Sequence, residues 1–184
     1  MKRSSQLFFT LLIGIDKLVE SAAPLLAVEL YDLQYSYYTK FQNLIDAEEN
    51  PMQVSSLLTI NDIDSTNLSG ATIEFTSGYV AGDVLLFVDQ NSITGSFNSV
   101  TGTMSFSGVS SISDYENALR SVTYKSSRDH EFTDQGNSHT KVLRFQVVDD
   151  SAENSNQVTR NIILTTPKMV YTDTHQGKII RITA

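Results

Sequence analysis

Residues 111–124, SISDYENALRSVTY, change their apolar period from helical to strand-like with no loop between the two. Ile112, Tyr115 and Leu119 stand at i, i+3 and i+7, one stripe of an amphipathic helix. From Ser121 the period is two, with Val122 and Tyr124 on one side and Ser121 and Thr123 on the other. Ser113 and Glu116 have the S-x-x-E spacing of a capping box, which predicts a helix opening at Ser113. A short helix joined directly to a strand has to lie against a sheet, because water is a poor solvent for both apolar faces.

The surrounding segments read as strands separated by turn signals. Residues 27–38, 53–60, 71–76 and 84–88 form successive short apolar or alternating runs. Residues 93–97 and 103–107 flank the turn Asn98-Ser99-Val100-Thr101-Gly102 and predict a hairpin. In residues 141–148, Leu143, Phe145 and Val147 point one way and Arg144 and Gln146 the other; residues 157–164 supply the last strand. Residues 39–51 break the pattern with a helical turn running into an acidic loop, and residues 125–140 form a long polar loop. The expected fold class is all-β, an antiparallel cadherin- or immunoglobulin-like β-sandwich with one short helix.

Composition narrows the chemistry. The 184 residues contain no cysteine, which removes disulfides, thiolate catalysis and cysteine-ligated metal centres together. A formal net charge of −8 disfavours nucleic acid or anionic membrane as a partner and is compatible with binding cations. The N-terminus carries Lys2 and Arg3 before an apolar run at residues 7–15 and small residues near Ala23. Residues 1–23 are therefore read as a secretory signal peptide or an amphipathic N-terminal helix. The run falls short of the roughly 20 apolar residues that span a bilayer.

Several motifs in order resemble one cadherin-like β-sandwich repeat of large extracellular or surface adhesins. They are Leu58-Thr59-Ile60-Asn61-Asp62-Ile63-Asp64-Ser65, Asn67-Leu68-Ser69-Gly70-Ala71-Thr72, Ile93-Thr94-Gly95-Ser96, residues 115–124, and Phe145-Gln146-Val147-Val148-Asp149-Asp150. The resemblance covers residues 24–165 and implies an extracellular or cell-surface module that adheres or spaces, with neighbouring repeats or cell-surface molecules as partners. It also implies Ca²⁺ at the acidic loops, where the matching positions are Glu49, Asp62, Asp64, Asp149 and Asp150. Residues 39–47 look like an insertion, and Thr165-Thr166-Pro167-Lys168 stands where the family has an acidic linker. The tail, residues 166–184, is expected to be an added hairpin or the start of a following domain. Val170-Tyr171-Thr172-Asp173 is similar to one hairpin of the Tyr-Trp-Thr-Asp β-propeller repeats.

The chemistry of the acidic positions agrees with that implication, since Ca²⁺ takes about six to eight oxygen ligands, several of them carboxylates. Asp, Asn and Glu are equally the ordinary residues of turns. An EF-hand is excluded, because the sixth and twelfth places counted from Asp62 are Asn67 and Ile73. His130, His139 and His175 lack zinc-site spacing, and no nucleophile elbow, P-loop or dinucleotide fingerprint occurs. The expectation is no catalytic residue and no enzyme. A second binding reading is a glycan-recognising sandwich using Tyr31, Tyr35, Tyr37 and Tyr38; a third is the accessory β-sandwich of a larger secreted hydrolase. Asn67-Leu68-Ser69 is an N-glycosylation sequon.

Overall fold

A computed structural model describes residues 22–36, 51–126, 138–165, 168–174 and 177–183. Residues 1–21 of the predicted N-terminal leader or helix and the 39–47 insertion lie outside these residues. So do most of the 125–140 loop and Glu49, His130, His175, Tyr37 and Tyr38. One layer is a six-stranded sheet in the order β2-β11-β10-β5-β8-β7. These strands are β2 (Leu33–Ser36), β5 (Asn67–Ser77), β7 (Thr94–Asn98), β8 (Thr103–Ser111), β10 (Ser138–Asp149) and β11 (Val158–Thr165). Opposite it lie β3 (Met52–Gln53), β9 (Thr123–Ser126) and β6 (Asp83–Leu86), paired in that order, and the pair β1 (Leu25–Ala27) with β4 (Thr59–Asn61). The all-β sandwich is as expected, except that β2 runs parallel to β11.

The core sits where period-two side chains from the two layers meet. Ala71, Ile73 and Phe75 of β5, Met104 and Phe106 of β8, and Leu143, Phe145 and Val147 of β10 face Val54, Leu85, Val122 and Tyr124. Phe75 meets Tyr124 across the layers edge-on, with ring centroids 6.0 Å apart, and Phe87 meets Phe106 in the same way at 5.0 Å. The six-stranded sheet gives its outer face to solvent, where Thr72 lies opposite Ser105 and Arg144 opposite Glu74.

The helix α1 (Ile112–Arg120) closes one end of the core with Tyr115, Ala118 and Leu119, all buried. It begins earlier than the capping-box reading predicts. Ser111 is the N-cap, and its hydroxyl accepts from the Asp114 N–H while bonding the Asp114 carboxylate at 2.6 Å. Hydrogen bonds from Ser111 and Ser110 hold the Asp114 carboxyl below its ordinary range. Glu116 is thereby released from capping. Its Oε1 accepts from the Ile60 N–H at 2.8 Å, and the helix's Arg120 donates to the Leu58 carbonyl, so the helix covers the edge of β4. Gly108 sets the junction. It sits at a bulge in β8, at φ +122, and its carbonyl accepts from the buried Tyr115 hydroxyl at 2.6 Å. Burial pushes the Tyr115 pKa up to about 12.

Two predicted strands are divided. The run at 27–38 splits into β1 and β2 in different layers, and the run at 53–60 splits into β3 and β4. A single residue explains both interruptions. Glu29, almost wholly buried, leaves β1 and holds the Ser55-Ser56-Leu57 loop between β3 and β4 with its carboxylate. The tail forms a separate two-stranded sheet of β12 (Lys168–Thr174) and β13 (Gly177–Thr183), registered from Lys168↔Thr183 to Thr174↔Gly177. Among the described residues no helix is long and apolar enough to cross a membrane.

Candidate functional site

The two acidic turns named from the sequence lie side by side at one pole of the sandwich. The first follows β4. Asp62 Oδ1 accepts from the N–H groups of Asp64 and Ser65, both at 3.2 Å, an Asx-type closure that the residue type favours. Asp64 Oδ2 accepts from the Ala22 N–H at 2.9 Å, which ties the entering chain to this turn. The second turn follows β10. Asp149 is completely buried, and its Oδ1 accepts from the N–H groups of Ser151 and Glu153, both at 2.8 Å. Ala152 adopts φ 68 to let the backbone wrap the carboxylate in this way. The turns are joined by the Ser65 hydroxyl donating to Asp150 and the Ser69 hydroxyl donating to the Asp149 carbonyl. Ser69 is the third residue of the sequon, so its hydroxyl is engaged.

Among the described residues, two oxygens at this pole have no protein partner: Asp62 Oδ2 and Asp149 Oδ2, both shielded from solvent. A buried carboxylate oxygen left without a donor costs on the order of 1–3 kcal/mol or more, so each is a position that attracts a cation or water. Their chemistry fits Ca²⁺, which takes carboxylate oxygens from loops. Even so, among the described residues no three carboxylate or histidine side chains converge closely enough to hold a metal ion by themselves. Asp62 and Asp149 turn oxygens inward, whereas Asp64 and Asp150 are exposed and already hydrogen-bonded.

Two buried ion pairs, which the sequence reading did not single out, bridge the layers. In the first, Glu29 accepts from Arg160 of β11 and from the Ser55 hydroxyl, and its Oε1 accepts from the Ser56 and Leu57 N–H groups, each at 2.7 Å. Burial raises the Glu29 pKa, but the bonds from Ser55, from the backbone and from Arg160 outweigh it and bring the group down from 4.5 to about 2. Tyr31 of the glycan reading lies beside this pair, its ring centroid 5.1 Å from the Arg160 guanidinium carbon. In the second pair, Lys141 of β10 donates to Asp83 Oδ2 at 2.6 Å and to the Gly78 carbonyl at 2.9 Å. The Tyr124 hydroxyl donates to Asp83 Oδ1 at 2.7 Å. Pairing of this kind is what allows strands to carry charged residues on their inward side.

No protein-family model and no solved structure matches this chain. It is similar to halomucin of Haloquadratum walsbyi, at 34% identity over 89 residues, which is 45% of this chain and 1% of halomucin's length.

Proposed function

We propose that this chain is a non-enzymatic, extracellular adhesive or spacer module of a surface protein, cadherin-like in its sandwich, whose acidic pole binds Ca²⁺. The observation that carries the ion is the pair of buried, unpartnered oxygens of Asp62 and Asp149 in adjoining turns. Asp64 and Asp150, with backbone carbonyls and water, are the further oxygens at this pole for a shell of about six to eight, and Glu49 of the expected set lies outside the described residues. The path of the chain supports the spacer role. Leu25 lies opposite Asn61 at the acidic pole, whereas β11 ends with Thr165 opposite Ser138 at the other, so the chain passes through the sandwich end to end. Modules of that kind join in linear arrays, and the match to 1% of a far longer protein accords with a small unit of a long chain.

The test is thermal unfolding of the full chain in Ca²⁺, in Mg²⁺ and in chelator. An ion that binds the folded state alone stabilises it by about 2.7 kcal/mol when present at about 100 times its Kd. The midpoint is expected to rise in Ca²⁺ and not in Mg²⁺, and the rise to disappear in Asp149→Ala. An unchanged midpoint in Ca²⁺ sinks the metal assignment.

A further inference from the structure

The way residues 22–36 are attached determines how the module answers a pull along its length. This segment is held at three places, all on lines running from pole to pole. The strand β1 pairs with β4 over three residues, and β2 pairs with β11 over four, from Ile162↔Leu33 to Thr165↔Ser36. Between them stands the Glu29 carboxylate, bonded both to the 55–57 loop of one layer and to Arg160 of the other. The neighbouring Asp32 accepts from the Asn161 side chain at 3.1 Å, and Asn156 bonds the backbone of Leu26 in both directions.

Because β2 and β11 are parallel, tension that draws Ala22 out of one pole and Thr165 out of the other slides the two strands past each other. Sliding breaks every registered pair at once, whereas two antiparallel strands pulled apart from their open end lose their pairs singly. The buried pair adds to this. Glu29 and Arg160 side chains are each only 2% exposed, so water cannot replace either partner until the segment has already moved.

We propose that residues 22–36 act as a force clamp, with Glu29–Arg160 as its pin, so that the module resists tension along its axis far better than tension across it. The proposal deepens the spacer reading and rests on it for its use, but its test does not depend on Ca²⁺. The chain has no cysteine, so attachment points are set by introducing pairs. The full chain carrying Ala22→Cys with Thr165→Cys loads the clamp along its axis. Ser138→Cys with Thr165→Cys loads the open end of the β10–β11 pair, since these residues lie opposite one another. Both are pulled by single-molecule force spectroscopy in chelator, where the rupture force reports the barrier to unfolding.

The axial rupture force is expected to be at least about twice the transverse one, because registered pairs fail together only in the axial direction. Glu29→Gln should lower the axial force and leave the transverse force within error. Equal forces in the two directions, in the unmodified background, overturn the clamp whether or not the Glu29 variant folds. An axial force unmoved by Glu29→Gln overturns the pin. Neither result touches the calcium-dependent melting that tests the ion.

Discussion

Replacing Glu29 by Gln keeps the shape of the side chain while removing its charge. The amide oxygen still accepts from the Ser56 and Leu57 N–H groups, but the NH₂ group now faces two donors, Arg160 and the Ser55 hydroxyl. The guanidinium is left buried without a counter-charge, a loss that costs about 3–5 kcal/mol when one partner of a buried pair is removed. Against the raising effect of burial, the pKa of Glu29 is lowered by its hydrogen bonds and by Arg160, which points in the same direction. The sign follows from the direction. The folded pKa is depressed, so this stability is complete above about pH 4.5 and is lost as the pH falls through about 2. The assay is urea unfolding followed by circular dichroism, from pH 7 down to pH 2.5, on the parent, Glu29→Gln, and Glu29→Gln with Arg160→Met. The single variant should lose about 3–5 kcal/mol at pH 7, the gap should narrow steadily below about pH 4.5, and the double variant should recover a large part of the loss. A gap under about 1 kcal/mol at pH 7, or one that stays constant down to the lowest pH, refutes the account of Glu29 as a charged, paired, buried group.

Two further substitutions test the helix-to-strand junction. Leu119→Ala truncates a side chain only 1% exposed and should cost about 2–5 kcal/mol in urea unfolding while leaving Ca²⁺ affinity of the folded module unchanged by calorimetry. Gly108→Ala places a Cβ 2.1 Å from the Ser92 carbonyl oxygen at φ +122 and should destabilise by about 3 kcal/mol or more; a variant as stable as the parent would remove Gly108 from its role in the bulge.

Local periodicity made the helix, its buried stripe and most of the strands legible, because each is decided by residues a few places apart. The cap was misplaced for an equally local reason. Ser111-x-x-Asp114 and Ser113-x-x-Glu116 overlap, and the choice between them is made by the bulge at Gly108, which delivers the chain to Ser111 in an extended conformation, at ψ 156. The divided strands were illegible because the residue that divides them acts over long range: Glu29 lies 131 positions from Arg160. Half of that signal was nevertheless present. Arg160 shares its side of β11 with the buried Ile162 and Leu164, and Lys141 shares its side of β10 with Leu143, Phe145 and Val147. Two inward cations require two buried anions, but nothing in the sequence says which of 21 acidic residues they are.

That pairing also explains why the acidic pole stands apart. Among the described residues, the ion pairs join Arg120 to Glu116, Lys141 to Asp83, Arg144 to Glu74 and Arg160 to Glu29. Each of these bases is spent on a carboxylate on a flank or in the core, and none of the pairs reaches Asp62, Asp64, Asp149 or Asp150. These four are held by hydroxyl and backbone donors, which orient a carboxylate but do not neutralise it. Four like charges in two adjoining turns repel, and two of their oxygens are closed off from water. Among the described residues, the sandwich is therefore compensated through its interior and uncompensated at the pole where the chain enters. That imbalance is the physical ground on which a divalent cation from solution is proposed as the partner of this pole.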